Sequence, residues 1–234
     1  MALSSTDLAK VLSLRAPVLM LDTCVLLDII RDITRQDVQL HNVKAAMTML
    51  QASETGTSLV VLMAKQVSIE LQDNLPNVEQ GAQSALEKFR SQTMRVNQVA
   101  AEFGAVGTIT TSHLTGHVAR ARATMDRWER AALPATPGQD VPSKAIQRVV
   151  SAIAPSRKGK DSTKDCLIVE TYLEAAAQMR AASFTGKIVF GSSNTDDYVD
   201  KTTGKLHLAL ATDFASHSMD YGMNFGSMQY LLGL

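Results

Sequence analysis

The chain has 234 residues, 45% hydrophobic and 20% charged, enough for a sizeable core in one domain with or without a large insertion. Lys plus Arg and Asp plus Glu both number 23, so no global charge steers the chain to nucleic acid or membrane, and any polyanion surface must be local. Two cysteines, Cys24 and Cys166, argue against a disulfide framework, and no basic-then-apolar leader or ~18-residue apolar run is present. The expectation is a soluble cytoplasmic protein without membrane contact.

In chain order, residues 1–14 read as a short amphipathic helix. Pro17 to Leu21 reads as a buried strand that ends abruptly in Asp22, and Val25, Leu26, Ile29 and Ile30 mark the helix that follows. A helix over Asp37 to Ala52 carries Leu40, Val43, Ala46, Met47 and Leu50 at spacings of three and four, with Gly56 suited to its end. Ser58 to Met63 reads as a second buried strand. The helix from Ala64, which contains Glu70, is expected to stop near Pro76.

Residues 77–156 change composition, becoming rich in Ala, Gln and Arg. They read as helices over Val78 to Phe103, Leu114 to Ala132 and Ser143 to Ala154, the last two separated by a Leu133–Gly138 loop. After the polar loop Ser156 to Lys164, a strong helix opens at Asp165, and Lys187 to Phe190 reads as another strand. The tail suggests a helix over Ala209 to Ser216 and a last strand near Met223 to Phe225. Strands alternating with helices give an α/β fold, in three α/β/α layers around a mainly parallel, Rossmann-like sheet. It is expected as a single domain over residues 1–234 with an inserted or elaborated helical region at 77–156.

Taken alone, the strand–Asp22–helix junction reads more readily as a helix cap than as a functional element. Three further acids change that reading. Glu70 lies within two turns of the start of the helix after strand two. Asp165 sits at a helix start, where amide dipoles favour negative charge, and Asp197 follows a third strand together with Ser192 and Asn194. A parallel sheet gathers such positions at its carboxyl edge, where ligands bind. Converging carboxylates repel unless a cation intervenes, and oxygen donors without a His or Cys cluster select one or two Mg²⁺ or Mn²⁺ ions over Zn²⁺. Such ions activate water and stabilise the leaving oxygen of a phosphodiester.

Asp22-Thr-Cys-Val-Leu-Leu-Asp28 resembles the opening motif of the PIN domain family, and Ser192-Ser-Asn-Thr-Asp-Asp-Tyr198 is similar to its fourth, with Ser for Thr and Tyr for Phe. Lys164 to Glu170 is similar to the third motif, and Glu70 fits the second. The resemblance implies a metal-dependent nuclease, usually a ribonuclease. Asp22, Glu70, Asp165 and Asp197 would act as catalytic and metal-binding residues, with Thr23, Ser192 and Asn194 in support. Asp161 and Asp196 are rivals for the third and fourth carboxylates, and Glu170 is an outer candidate. Glu70 and Asp165 stand 95 positions apart, wider than in compact toxin members of the family. RNA is the expected substrate with DNA left open. The resemblance also admits a homodimer and an antitoxin-like protein inhibitor as partners.

Arg157, Lys158, Lys160 and Lys164 against Asp161 make the loop before Asp165 basic, and they are the expected nucleic-acid contacts. A second basic segment runs from Arg120 to Arg130. Cys24 and Cys166 read as small buried residues beside a tight site, and His113 and His117 as surface histidines. The competing reading is a non-catalytic PIN-like module that binds RNA or protein. A strand–Asp–Thr phosphatase start is set aside, because that chemistry needs a second Asp where Cys24 stands.

Overall fold

The computed structural model describes residues 1–234. Three apolar runs in the sequence become the middle of one sheet: β1 (Val18–Leu21), β2 (Val60–Ala64) and β4 (Ile188–Gly191) are buried at every position. Successive strand side chains point to opposite faces, so unbroken burial means that both faces are covered. With β3 (Leu133–Ala135) and β7 (Met219–Gly222) the sheet has five strands in the order β3-β2-β1-β4-β7, and every pairing is parallel. Chain order reverses between β1 and β4, which makes their carboxyl ends the switch-point crevice of a doubly wound fold.

Ten helices surround this sheet. In chain order they are α1 (Ser5–Leu14), α2 (Thr23–Asp28), α3 (Leu40–Glu54), α4 (Lys65–Glu102), α5 (His117–Ala131), α6 (Val141–Val150), α7 (Thr163–Ala181), α8 (Thr195–Tyr198), α9 (Leu208–Ser216) and α10 (Phe225–Leu232). α7 packs on β2 and β3 with α6 and α1 beside it, while α10 packs on β1, β4 and β7 with α3 beside it. Trp128 of α5, fully buried, stacks on Phe225 of α10 with ring centroids 5.7 Å apart. Val199–Asp200 (β5) and Lys205–Leu206 (β6) form a small antiparallel hairpin after α8. No helix is long and apolar enough to cross a membrane.

Three sequence expectations fail, each for a physical reason, and one element was not anticipated. The helix from Ala64 does not stop at Pro76; it merges with the one expected from Val78 into a 38-residue helix. Proline removes one N–H donor, and the Gln72 carbonyl left without it lies on the exposed side, where water serves instead. The expected Leu133–Gly138 loop contains β3, an edge strand, where Pro134 is tolerated. The last strand lies four residues earlier than expected, at Met219–Gly222, and Phe225 instead starts α10 behind an Asn224 capping box. The β5–β6 hairpin carried no sequence signal.

Candidate functional site

β1 and β4 run side by side, so the residues that leave them meet. The Asp22 amide donates to the Gly191 carbonyl at 2.9 Å, which brings Asp22 next to Ser192 at the switch point. Asp22 is 3% exposed. One carboxylate oxygen accepts the Thr23 amide at 2.7 Å as the cap of α2, and the other accepts the Ser192 hydroxyl at 2.6 Å and the Cys24 thiol at 3.3 Å. Capping and site-building are therefore the same contact set. Burial pushes the Asp22 carboxyl up despite these donors, and burial followed by the Asp22 charge pushes the Cys24 thiol up, leaving it a neutral donor.

Glu70, half-buried on the second turn of α4, reaches back over the sheet edge, where its carboxylate accepts the Thr23 hydroxyl at 2.8 Å. Thr23 thus spans from the Asp22 cap to Glu70. Asp165 lies in the first turn of α7. Burial, then the charges of Asp22 and Asp197, raise its carboxyl from 3.8 to about 7; Lys160 opposes this and Glu70 adds a smaller push. The other three acids are thereby near enough for Asp165 to feel their charge. Asp197 is 2% exposed and accepts the Asn194 side-chain amide at 2.6 Å. Lys160 Nζ sits on its Oδ2, and Arg157 Nη2 approaches Oδ1 to 3.2 Å without hydrogen-bond geometry.

The other candidates are not brought to this cleft. Asp161 is exposed and accepts the Thr163 amide at 3.1 Å, and exposed Asp196 pairs with Lys201 at 2.8 Å. Glu170 is buried beneath the α7 surface, paired with Arg148, whose guanidinium also holds Asp213 and the Ala154 carbonyl. Of the basic loop, Arg157 and Lys160 turn onto Asp197, Lys164 lies 3.9 Å from Asp73, and Lys158 is exposed. In the second basic segment, Arg122 is engaged by Asp126 and Glu79, and Arg127 by Glu54, so both tie α5 to its neighbours. His117 is half-buried rather than a surface residue, with Nε2 enclosed and without a partner. Burial, then Arg120, holds its imidazole below the usual range.

Sequence reasoning missed two contributors. Cys24 is a hydrogen-bond donor to Asp22, not a passive filler. Tyr172 sends its hydroxyl under the cleft, donating to the Leu21 carbonyl at 2.6 Å and accepting the Ala64 amide at 2.9 Å. The apolar period of α7 marked Tyr172 as buried, and a buried tyrosine hydroxyl needs partners; that was the available signal.

As the side chains stand, no three His, Cys, Asp or Glu groups converge closely enough to ligate one ion. The chemistry of the set is nonetheless that of a hard divalent cation: carboxylate and hydroxyl oxygens and no imidazole, with Asp165 pushed up chiefly by burial and further by the neighbouring acids. Lys160 and Arg157 are the cations that the chain itself supplies to that charge.

These features define an α/β protein with an acid-lined crevice at the switch point of a doubly wound parallel sheet. The family model described as PIN domain matches residues 19–198, a range that takes in the sheet from β1 to β4 and all four acids. The chain belongs to the PIN domain family, whose members are generally nucleases and typically use divalent metals. No curated protein and no solved structure matches it significantly.

Proposed function

We propose that the chain is a Mg²⁺- or Mn²⁺-dependent endoribonuclease in which Asp22, Glu70, Asp165 and Asp197 hold the metal. The observation that carries this reading is the buried Asp22 carboxylate at the switch point, joined to Glu70 through Thr23 and to the end of β4 through Ser192. Metal held there would supply a water acidic enough to attack near neutral pH and a charge to receive the leaving oxygen. The chain's own residues do the positioning. Ser192 and the Thr23 amide fix the Asp22 carboxylate, Thr23 aims Glu70, and Asn194 fixes Asp197. Arg157 and Lys160, already beside Asp197, are placed to meet phosphate oxygens.

The competing reading, a non-catalytic RNA- or protein-binding module, is favoured by one observation: Lys160 and Arg157 already neutralise Asp197. A cleavage assay on single-stranded RNA and DNA with Mn²⁺ separates the two. Wild type should cut RNA, and Asp22→Asn and Asp197→Asn, each verified as folded, should not. Mn²⁺ at a hundredfold over its dissociation constant should stabilise the wild type by about 2.7 kcal/mol and Asp22→Asn much less. Cleavage that persists in both variants would refute the four-carboxylate site.

A further inference from the structure

Beside Asp197 the surface is not flat. The segment after α6, the α8 turn and the start of α9 line a groove of about 520 Å³, within the size range of ligand pockets at roughly 300–1,000 Å³, and Asp197 is one of its lining residues. Its cationic members are Arg157 and Lys201, beside the carboxylates of Asp196 and Asp197, and its apolar ones include Ile153, Val199 and Leu208. Arg157 stands 3.2 Å from Asp197, and Lys201 pairs with the exposed Asp196 at 2.8 Å. Leu208 is 83% exposed, an unusual position for a leucine amid charged groups.

Cations next to an open apolar wall match a nucleotide, whose phosphate takes the charge while the face of its base covers the hydrocarbon. A free anion would leave Leu208 and Ile153 unused, and an apolar peptide would leave the cations unused. Continuity with Asp197 ties the groove to a strand that already crosses the carboxylates. Resting on the nuclease reading, we propose that this groove is a nucleotide subsite of the RNA track. It takes the residue next to the scissile phosphodiester, with the phosphate on Arg157 and Lys201 and the base against Leu208, Val199 and Ile153.

The test is fluorescence anisotropy of a labelled ten-residue oligouridylate on the full chain, with Mn²⁺ and the Asp22→Asn change to prevent cutting. Adding Leu208→Asp or Lys201→Glu, both at exposed positions, should weaken binding tenfold or more. Lys201→Ala should lower the salt dependence by about 0.7 in log–log slope, one single-strand phosphate contact. Arg35→Ala, in the separate cavity lined by α2 and α3, should change affinity less than twofold. Affinity within twofold for both groove variants would overturn the subsite. As a second readout, a 5-iodouridine oligonucleotide crosslinked to the wild type should label residues 152–157 or 199–209, and labelling only elsewhere would also overturn it. If wild type cuts RNA and the groove variants cut at the same positions and rates, the subsite fails and the nuclease reading stands. If wild type neither binds nor cuts RNA, both fall.

Discussion

Tyr172→Phe removes one oxygen atom, and the structure fixes what that atom holds. Tyr172 is 1% exposed, and its hydroxyl joins the last residues of two adjacent strands, donating to Leu21 and accepting from Ala64. Asp22 is the next residue after Leu21, and the helix that carries Glu70 starts right after Ala64. The ring stays in place in phenylalanine, so almost no cavity opens. The cost is one buried N–H and one buried C=O deprived of this partner, at about 1–3 kcal/mol each, or about 2–6 kcal/mol in all. That is a large share of a typical total of ~5–15 kcal/mol. Urea unfolding followed by circular dichroism should show a lower midpoint at an unchanged slope, and the melting temperature should fall by roughly 5–15 °C. A change under about 0.5 kcal/mol would refute the reasoning. It would mean that backbone pairing alone satisfies the strand ends and that the hydroxyl is incidental.

Arg148→Met leaves Glu170 buried without its cation and should cost about 3–5 kcal/mol by urea unfolding, with much of the loss recovered in Arg148→Met/Glu170→Met. The same change frees the Ala154 carbonyl, so trypsin should cut faster at Arg157, Lys158 or Lys160. In metal-free buffer Asp165, raised from 3.8 to about 7, keeps a proton in the folded chain that the unfolded chain has released. Its stabilising effect is therefore fully present below pH ~4 and gone above ~7, with a slope of at most ~1.4 kcal/mol per pH unit, and Asp165→Asn should flatten that part of the stability profile. Pro76→Ala restores a donor at an exposed position of α4 and should stabilise by about 1–3 kcal/mol; a loss of stability would show that the helix needs its proline.

The fold was legible where burial is two-sided. β1, β2 and β4 are runs of four or five apolar residues because neither face meets water, and such runs stand out in a sequence. The edge strands lacked that signal. β3 is Leu-Pro-Ala, and β7 is Met-Asp-Tyr-Gly with Asp220 exposed; an edge needs only one side of pairing and tolerates residues that read as loop. Pro76 misled in the opposite direction. Its penalty is real but local, and a 38-residue helix with Leu71, Leu75, Ala82 and Leu86 buried outweighs one missing hydrogen bond.

The acids were legible for a different reason. Asp22, Asp165 and Asp197 each stand at a junction that the local pattern defines, a strand end or a helix start, and the parallel topology then brings those junctions together. What balances their charge is not local. The ammonium on Asp197 comes from Lys160, 37 residues away, on a loop with no periodicity to place it. Arg157 and Lys160 were read as solvent-facing contacts for a phosphate backbone, which is what basic loop residues usually are. Burying a charge is costly without a partner, and Arg157 and Lys160 lie against Asp197, which is 2% exposed. Residues that can neutralise a buried carboxylate are chemically the same residues that can neutralise a phosphate. A basic loop before an acidic motif therefore indicates that negative charge is near, while only the folded structure separates the chain's own charge from a substrate's.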